Sequence, residues 1–299
     1  MRILISGVSG LLGSAIQPAL NGAGHTTSAL VRRAPAGSEV QWDPERPLDP
    51  QKLNACAAIV HLAGKNIAGR WSEKLKREVR ESRVRGTQTL AIAAAESFRK
   101  TGTPNTIVAA SATGYYGNRG EELLTEDSNP GCGFLAEVCR EWEAAAQPAV
   151  AAGVRVVNLR IGLVLAKHGG ALKAMLPGFR LGLGGPVGDG RQYMSWITLD
   201  DLAGAFLFAL TDERLSGPVN AVAPEPARNS EFVRALGKAL HRPAVWPLPA
   251  YVVRTLLGEM GESLRLASAR VQPAKLDASA YTFRHPELHE ALHAVLTEM

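Results

Sequence analysis

The chain has little of what marks several large classes of protein. Its three cysteines, Cys56, Cys132 and Cys139, are an odd number without CxxC spacing. That excludes a disulfide framework and a zinc knuckle, and it argues for reduced thiols. No run comes near the roughly 18 uninterrupted apolar residues that a membrane-spanning helix needs. The apolar start Ile3-Leu4-Ile5 runs into glycines rather than a cleavage site. These absences predict a cytoplasmic protein with no membrane partner. Aromatic residues make up only 6% of the chain, and 33 Lys and Arg are scattered among 28 Asp and Glu, so the net charge of +5 forms no basic stripe. Such a surface is poor material for binding nucleic acid. What is present is 299 residues, 46% of them hydrophobic, enough to bury the core of one large domain or two closely joined ones.

The apolar pattern alternates between strand-like and helix-like stretches. Arg2-Ile3-Leu4-Ile5-Ser6 reads as a strand, a glycine turn follows, and Leu12, Ile16 and Leu20 then recur at helical spacing up to Gly22. Residues 26–31, 57–62, 106–110 and 154–159 form further continuous apolar runs, as expected of parallel strands buried on both faces. Helical patterns occupy 72–98 and 135–152. The alternation predicts an α/β fold with a doubly wound parallel sheet over residues 1–165. The texture changes after Ile161, where Gly169-Gly170 and the tract 182–190 interrupt the pattern. A strand is expected at 193–197 and a helix through 210, opened by the capping signal Thr198 to Asp201, with 193–212 packing back on the first domain. Residues 166–299 otherwise read as a smaller α+β lobe.

Gly7-Val8-Ser9-Gly10-Leu11-Leu12-Gly13 sits directly after the first strand and opens the first helix. In that position glycines give a tight turn, let the backbone approach a pyrophosphate and let the helix pack on the sheet, while free N–H groups face the anion. The predicted site is a dinucleotide cradle of the Rossmann type, built from Gly7, Ser9, Gly10, Leu11, Leu12 and Gly13. About 20 residues on, an NAD site carries a carboxylate for the ribose 2′-hydroxyl, whereas an NADP site places arginine near the 2′-phosphate. Here Arg32 and Arg33 follow the second strand, which selects NADP(H).

Other segments resemble the extended short-chain dehydrogenase/reductases, and more narrowly the YfcH-like epimerase family with its C-terminal domain of unknown function. The resemblance is carried by the glycine turn, His61-Leu62-Ala63-Gly64, Ser111-Ala112-Thr113-Gly114-Tyr115-Tyr116-Gly117, Leu181-Gly182-Leu183-Gly184-Gly185-Pro186, Val271-Gln272-Pro273-Ala274-Lys275-Leu276 and Tyr281-Thr282-Phe283-Arg284-His285-Pro286. It implies that Leu62, Ala63 and Gly64 lie along the cofactor and that Arg160 and Gly162 lie near its nicotinamide end. It also implies that the tract 182–190 lies between the lobes, where Arg180 and Arg191 would face an anionic substrate. Arg83 stands where extended members usually carry asparagine, which puts a cation close to the cofactor.

The chain departs from the resemblance at the chemistry. Extended members use a Tyr-x-x-x-Lys helix in which the lysine and the cofactor ribose lower the tyrosine pKa. Aligned on Glu143, that helix has Leu135 in the tyrosine position and Cys139 in the lysine position. The remaining proton carriers are Ser111 or Thr113, with Ala112 at the hydroxyl position in an ungapped alignment, and Tyr115 or Tyr116. Two readings follow. One is an NADP(H)-dependent oxidoreductase or epimerase-like enzyme, monomer or homodimer, acting on a carbonyl or secondary alcohol of a small substrate. The other is a catalytically silent NADPH-binding sensor. His61 reads as a packed neutral histidine. His289-Glu290-Ala291-Leu292-His293 spells a zinc-peptidase helix but has no third ligand downstream, so no metal is expected.

Overall fold

Successive residues of a strand point to opposite faces, so a run such as Ile3-Leu4-Ile5 can feed two cores at once. In the computed structural model, which describes residues 1–297, it does. The chain opens with β1 (Arg2–Ser6), α1 (Leu11–Gly22), β2 (Thr26–Val31), β3 (Val40–Gln41) and β4 (Ala58–His61). Helix α2 (Glu73–Thr101) leads to β5 (Thr106–Ala112), β6 (Leu123–Leu124), α3 (Phe134–Ala144), α4 (Gln147–Ala151), β7 (Arg155–Ile161) and β8 (Leu163–Leu165). Next come α5 (Gly170–Arg180), β9 (Tyr193–Met194), β10 (Trp196–Thr198), α6 (Leu199–Thr211) and β11 (Gly217–Ala221). They are followed by β12 (Ala227–Arg228), α7 (Asn229–Ala239), α8 (Ala250–Gly261), β13 (Arg270–Val271), α9 (Ala274–Ala278) and α10 (Leu288–Thr297).

Seven parallel strands form the central sheet in the order β3-β2-β1-β4-β5-β7-β11. This is the doubly wound α/β architecture. Ile3, Ile5, Val60, Val108 and Val157 pack with α1 and α6 on one face; Leu4, Ile59, Ile107 and Val156 pack with α2 and α4 on the other. A third core joins α5, α7 and α10 through Leu176, Phe179, Phe232, Leu236 and Leu292. The strand order reverses between β1 and β4, which opens a crevice at the carboxyl ends of the strands. Among the described residues no helix is long and apolar enough to cross a membrane.

The caps follow the chemistry of the residues. Ser72 accepts from the Leu75 N–H at the start of α2, and Gly102 ends that helix in a left-handed conformation. Thr198 accepts from the Asp201 N–H, as its sequence signal implies. The buried Asp201 carboxylate then accepts from the backbone N–H groups of Arg284 and His285, at 2.6 and 3.1 Å, which clamps the C-terminal segment onto α6.

Two sequence expectations need correction. The helix expected at 135–152 is two helices, α3 and α4, because Pro148 stands in the first turn of α4 and cannot donate into a continuing helix. The strand expected at 193–197 is split into β9 and β10, which join different two-stranded sheets. Residues 182–190 are tied to the chain around them. Gly184 and Pro186 accept from the N–H groups of Trp246 and Leu248, and the Val187 N–H donates to Asn229 Oδ1 at 2.8 Å. Strand β11, at the sheet edge, has no counterpart in the sequence reading.

Candidate active site

At the carboxyl ends of the strands the glycine turn after β1 abuts the end of β4, where Gly7 lies against Leu62 and Ala63. Gly7 has φ +75°, and a Cβ there would lie 2.9 Å from the Ala63 nitrogen. A Cβ on Gly13 would lie 2.5 Å from the carbonyl oxygens of both Gly7 and Val8. Backbone therefore fills the space that any side chain would need. Gly10, the N-cap of α1, is exposed and a Cβ there would meet only the Gly7 oxygen, at 3.3 Å. No side chain caps α1, and no acidic residue occupies its first turn. The first N–H groups of α1 are left for an anion. The turn thus fits a diphosphate on physical grounds, with Ser9 exposed beside it. Leu12 packs into the core beneath, and the Leu11 side chain lies against Gly169 at the start of α5.

After β2 the two arginines part ways. Arg33 forms a bidentate pair with Glu39, at 2.7 and 2.6 Å, while Arg32 is exposed with no side-chain partner among the described residues. Arg32 is therefore the better placed of the two for a 2′-phosphate.

The strand end Leu62-Ala63-Gly64 is held by a pair that sequence reasoning did not assemble. Ser6 Oγ accepts from the Leu62 and Ala63 N–H groups at 3.1 and 3.3 Å and lies 2.6 Å from His61 Nδ1. With both acceptor positions used, the Ser6 hydroxyl donates to Nδ1, which leaves the proton of the neutral imidazole on Nε2, buried with no hydrogen-bond partner among the described residues. Burial, with some repulsion from Arg83, lowers the His61 pKa from 6.5 to about 4. As pH falls below about 6.5 the unfolded chain takes up a proton that the folded chain refuses. The stability held at neutral pH should therefore decline from pH 6.5 down to about 4, by about 3 kcal/mol, and level off below. In His61→Gln this part of the pH slope should vanish from chemical denaturation curves; an unchanged slope would assign it to other groups.

The residues expected to move protons lie together but differ in freedom. Ser111 is buried and donates to Glu143 at 2.7 Å. Tyr116 is fully buried, and its hydroxyl donates to Asn220 Oδ1 at 2.7 Å and accepts from Arg160 at 3.0 Å. Burial outweighs the help from Arg160 and pushes the Tyr116 pKa up to about 12. Tyr116 is thus enclosed, with its hydroxyl kept protonated at neutral pH and held between Asn220 and Arg160. Thr113 donates to the Ile161 carbonyl at 3.4 Å. Tyr115 is half-buried and its hydroxyl has no hydrogen bond among the described residues; the Arg160 guanidinium lies over its ring, 3.4 Å from carbon to centroid.

Arg160 is committed to partners within the protein. Its Nε and Nη2 both donate to Glu143 at 2.9 Å, and Nη1 donates to Tyr116 and the Glu126 carbonyl. Every nitrogen is spent inside the protein, because an oppositely charged fork partner is buried beside it. Gly162 is packed against the Ser195 carbonyl, which a Cβ would meet at 2.5 Å. Leu135 and Cys139 flank Gly114, the position where proton transfer would be organised; a Cβ on Gly114 would lie 3.2 Å from Leu135 Cβ and 3.9 Å from Cys139 Sγ. Burial, joined by the Glu143 charge and opposed by Arg83, pushes the Cys139 thiol up to about 12. Arg180 and Arg191 are exposed, at the end of α5 and beyond the glycine-rich tract. Across the cleft, Lys76 of α2 pairs with Glu259 of α8 and lies over the Phe134 ring at 5.5 Å. His289, Glu290 and His293 are exposed on α10, with Ala291, Leu292 and Val295 turned inward.

Comparison with known proteins agrees with this arrangement. Residues 3–221 match the model of the NAD dependent epimerase/dehydratase family, and residues 248–295 match a domain of unknown function, DUF1731. An epimerase family protein of Mycobacterium bovis is 44% identical over 293 residues, which cover 97% of this chain and 96% of that protein. The crystal structure of human epimerase family protein SDR39U1 (isoform 2) with NADPH superimposes with a TM-score of 0.90 at 36% identity and covers 100% of both chains. A nucleoside-diphosphate sugar epimerase of Corynebacterium glutamicum gives a TM-score of 0.80 at 37% identity, covering 99% of this chain and 58% of that one. With a parallel sheet, a glycine turn that only backbone can fill and relatives spanning both lobes, the chain belongs to the NAD dependent epimerase/dehydratase family, in the branch that carries the DUF1731 domain.

Proposed function

We propose that this protein is an NADP(H)-dependent oxidoreductase or epimerase-like enzyme acting on a carbonyl or secondary alcohol of a small, sugar-like molecule. One observation carries the reading: the N-terminus of α1 has no side-chain cap and no acidic residue, and the exposed Gly10 stands in front of it. Gly7, Ser9, Gly10 and the N–H groups of Leu11, Leu12 and Gly13 would hold the diphosphate. Leu62, Ala63 and Gly64 would line the dinucleotide, and Arg32 would take the 2′-phosphate. The NADPH in the structure of the human relative supports that choice of cofactor. In this reading residues 1–165 hold the nucleotide and the lobe 166–299 covers the substrate, with Arg180 and Arg191 toward an anionic group.

The bound nicotinamide supplies hydride chemistry. The chain's own part is to hold the reacting carbon in place, exclude water and handle a proton. Tyr115 is the group we assign to the proton. Its hydroxyl is free and half-buried at the cleft, unlike those of Ser111 and Tyr116.

Calorimetric titration tests the cofactor. Arg32→Glu should weaken NADPH binding about a hundredfold while leaving NADH nearly unchanged, since it removes a charge-assisted contact and adds repulsion. Equal losses for both nucleotides would remove Arg32 from the 2′-phosphate. For the chemistry, NADPH consumption is followed against ketoses and nucleotide sugars. Tyr115→Phe should lower turnover about a hundredfold, the scale of a lost proton carrier, and leave NADPH affinity within about twofold. A second reading, a silent NADPH-binding protein, is favoured by Leu135 and Cys139 at the proton-transfer positions. It predicts tight NADPH binding and no turnover with any member of the panel.

A further inference from the structure

Arg83 lies on α2 where that helix passes beneath the end of β4. Its guanidinium carbon is 5.0 Å from the Trp142 ring centroid, and a Cβ on Gly64 would meet it at 3.3 Å. One nitrogen, Nη1, donates to the Lys65 and Val79 carbonyls at 3.0 and 3.2 Å. Among the described residues no carboxylate pairs with it: Glu143 is committed to Arg160 and Ser111, and Glu78 to Lys65. Burial works against its charge. A desolvated cation supported by two carbonyls is costly unless a ligand completes its shell. Its charge also reaches both His61, on β4, and Cys139, on α3. The guanidinium therefore lies between the strand end that would touch the nucleotide and the α3 position that would carry lysine in a Tyr-x-x-x-Lys helix.

We propose that Arg83 is the cation that grips the ribose at the nicotinamide end of the cofactor, delivered from α2 to ground that Cys139 of α3 leaves neutral. Its two remaining donor nitrogens, in a planar fork, suit a pair of vicinal hydroxyls better than an ammonium would. The assignment rests on the nucleotide reading above and makes Arg83 a binding and positioning residue. It also explains why the chain dispenses with lysine on α3, since the positive charge arrives from the neighbouring helix.

The test compares NADPH with adenosine 2′,5′-bisphosphate, which has the 2′-phosphate but lacks the nicotinamide ribose. Binding is measured by calorimetry for the wild type, Arg83→Gln, Arg83→Lys and the double variant Arg83→Gln/Cys139→Lys. In Arg83→Gln, NADPH affinity should fall about ten- to a hundredfold, the scale of a lost hydrogen bond from a charged group, while the bisphosphate binds as before. Arg83→Lys should retain most of the affinity, and the double variant should recover part of it by returning a cation from α3. An Arg83→Gln variant that binds NADPH like the wild type overturns the proposal. So does one that loses both ligands alike, because that marks a structural role. A wild type that binds neither ligand would instead sink the nucleotide reading itself.

Discussion

Gly13→Ala should abolish measurable NADPH binding in calorimetry, a loss of at least about a hundredfold, although it adds a single methyl group. The added carbon would lie 2.5 Å from two backbone oxygens and 2.6 Å from Val8 Cα, so no rotamer relieves the collision. The backbone between Gly7 and α1 has to move apart instead. Overpacking of this kind costs about 1–3 kcal/mol of stability. Nucleotide binding should suffer more, because the displaced groups are the N–H donors facing the diphosphate. Gly22, at the far end of the same helix, is the control: nothing lies within 4 Å of a Cβ there. Gly22→Ala should bind normally and be neutral or up to about 1 kcal/mol more stable. If Gly13→Ala titrated like the wild type, the diphosphate would have to sit elsewhere.

The largest loss of stability is expected from Arg160→Leu. The Arg160 and Glu143 side chains are 3% and 13% exposed, and two parallel bonds of 2.9 Å join them. Removing the cation leaves a carboxylate in the interior with only Ser111 as donor, and it also strips Tyr116 of its donor. Breaking a buried pair in this way costs about 3–5 kcal/mol, whereas replacing both partners by apolar groups is far less damaging. Chemical denaturation should therefore show Arg160→Leu strongly destabilised and Arg160→Leu/Glu143→Leu recovering most of the difference. A single variant within about 1 kcal/mol of wild type would mean that the pair is solvated and that Arg160 could serve a ligand after all.

The two predictions divide by the range of the interactions behind them. The glycine turn was legible because its determinants are seven consecutive residues between a strand and a helix. The strand at 106–110 was legible because a parallel strand buried on two faces reads as a continuous apolar run, whereas β2 buries only Ser28 and Leu30. The Thr198 cap was visible because donor and acceptor are three residues apart. Pro148 was present in the sequence, yet the apolar periodicity ran across it and hid the break between α3 and α4.

The site chemistry was less legible. Arg160 and Glu143 are 17 residues apart, and Ser6 and His61 are 55 apart. No local pattern says that each meets the other rather than a ligand. The family resemblance implied that Arg160 is a cofactor contact, and only the packing of α3 against β5 brings Glu143 to its guanidinium. Arg83 gave the opposite result. It could have been a solvated helix residue, and it is a half-buried cation because Gly64 leaves room for it and Trp142 supports it.

Taken alone, the sequence determined the layered α/β architecture, the glycine turn between the first strand and the first helix, and the presence of Leu135 and Cys139 four residues apart on one helix. Those features depend on periodicity, local turn chemistry and residue identity, which are properties of short stretches of chain. The tertiary structure alone decided which charged and hydroxyl groups are spent on one another and which stay free. Burial makes an unpartnered polar group costly, so partners are settled by where helices and strands pack, and that commits Tyr116, Ser111 and Arg160 to one another's network through Glu143 and Asn220.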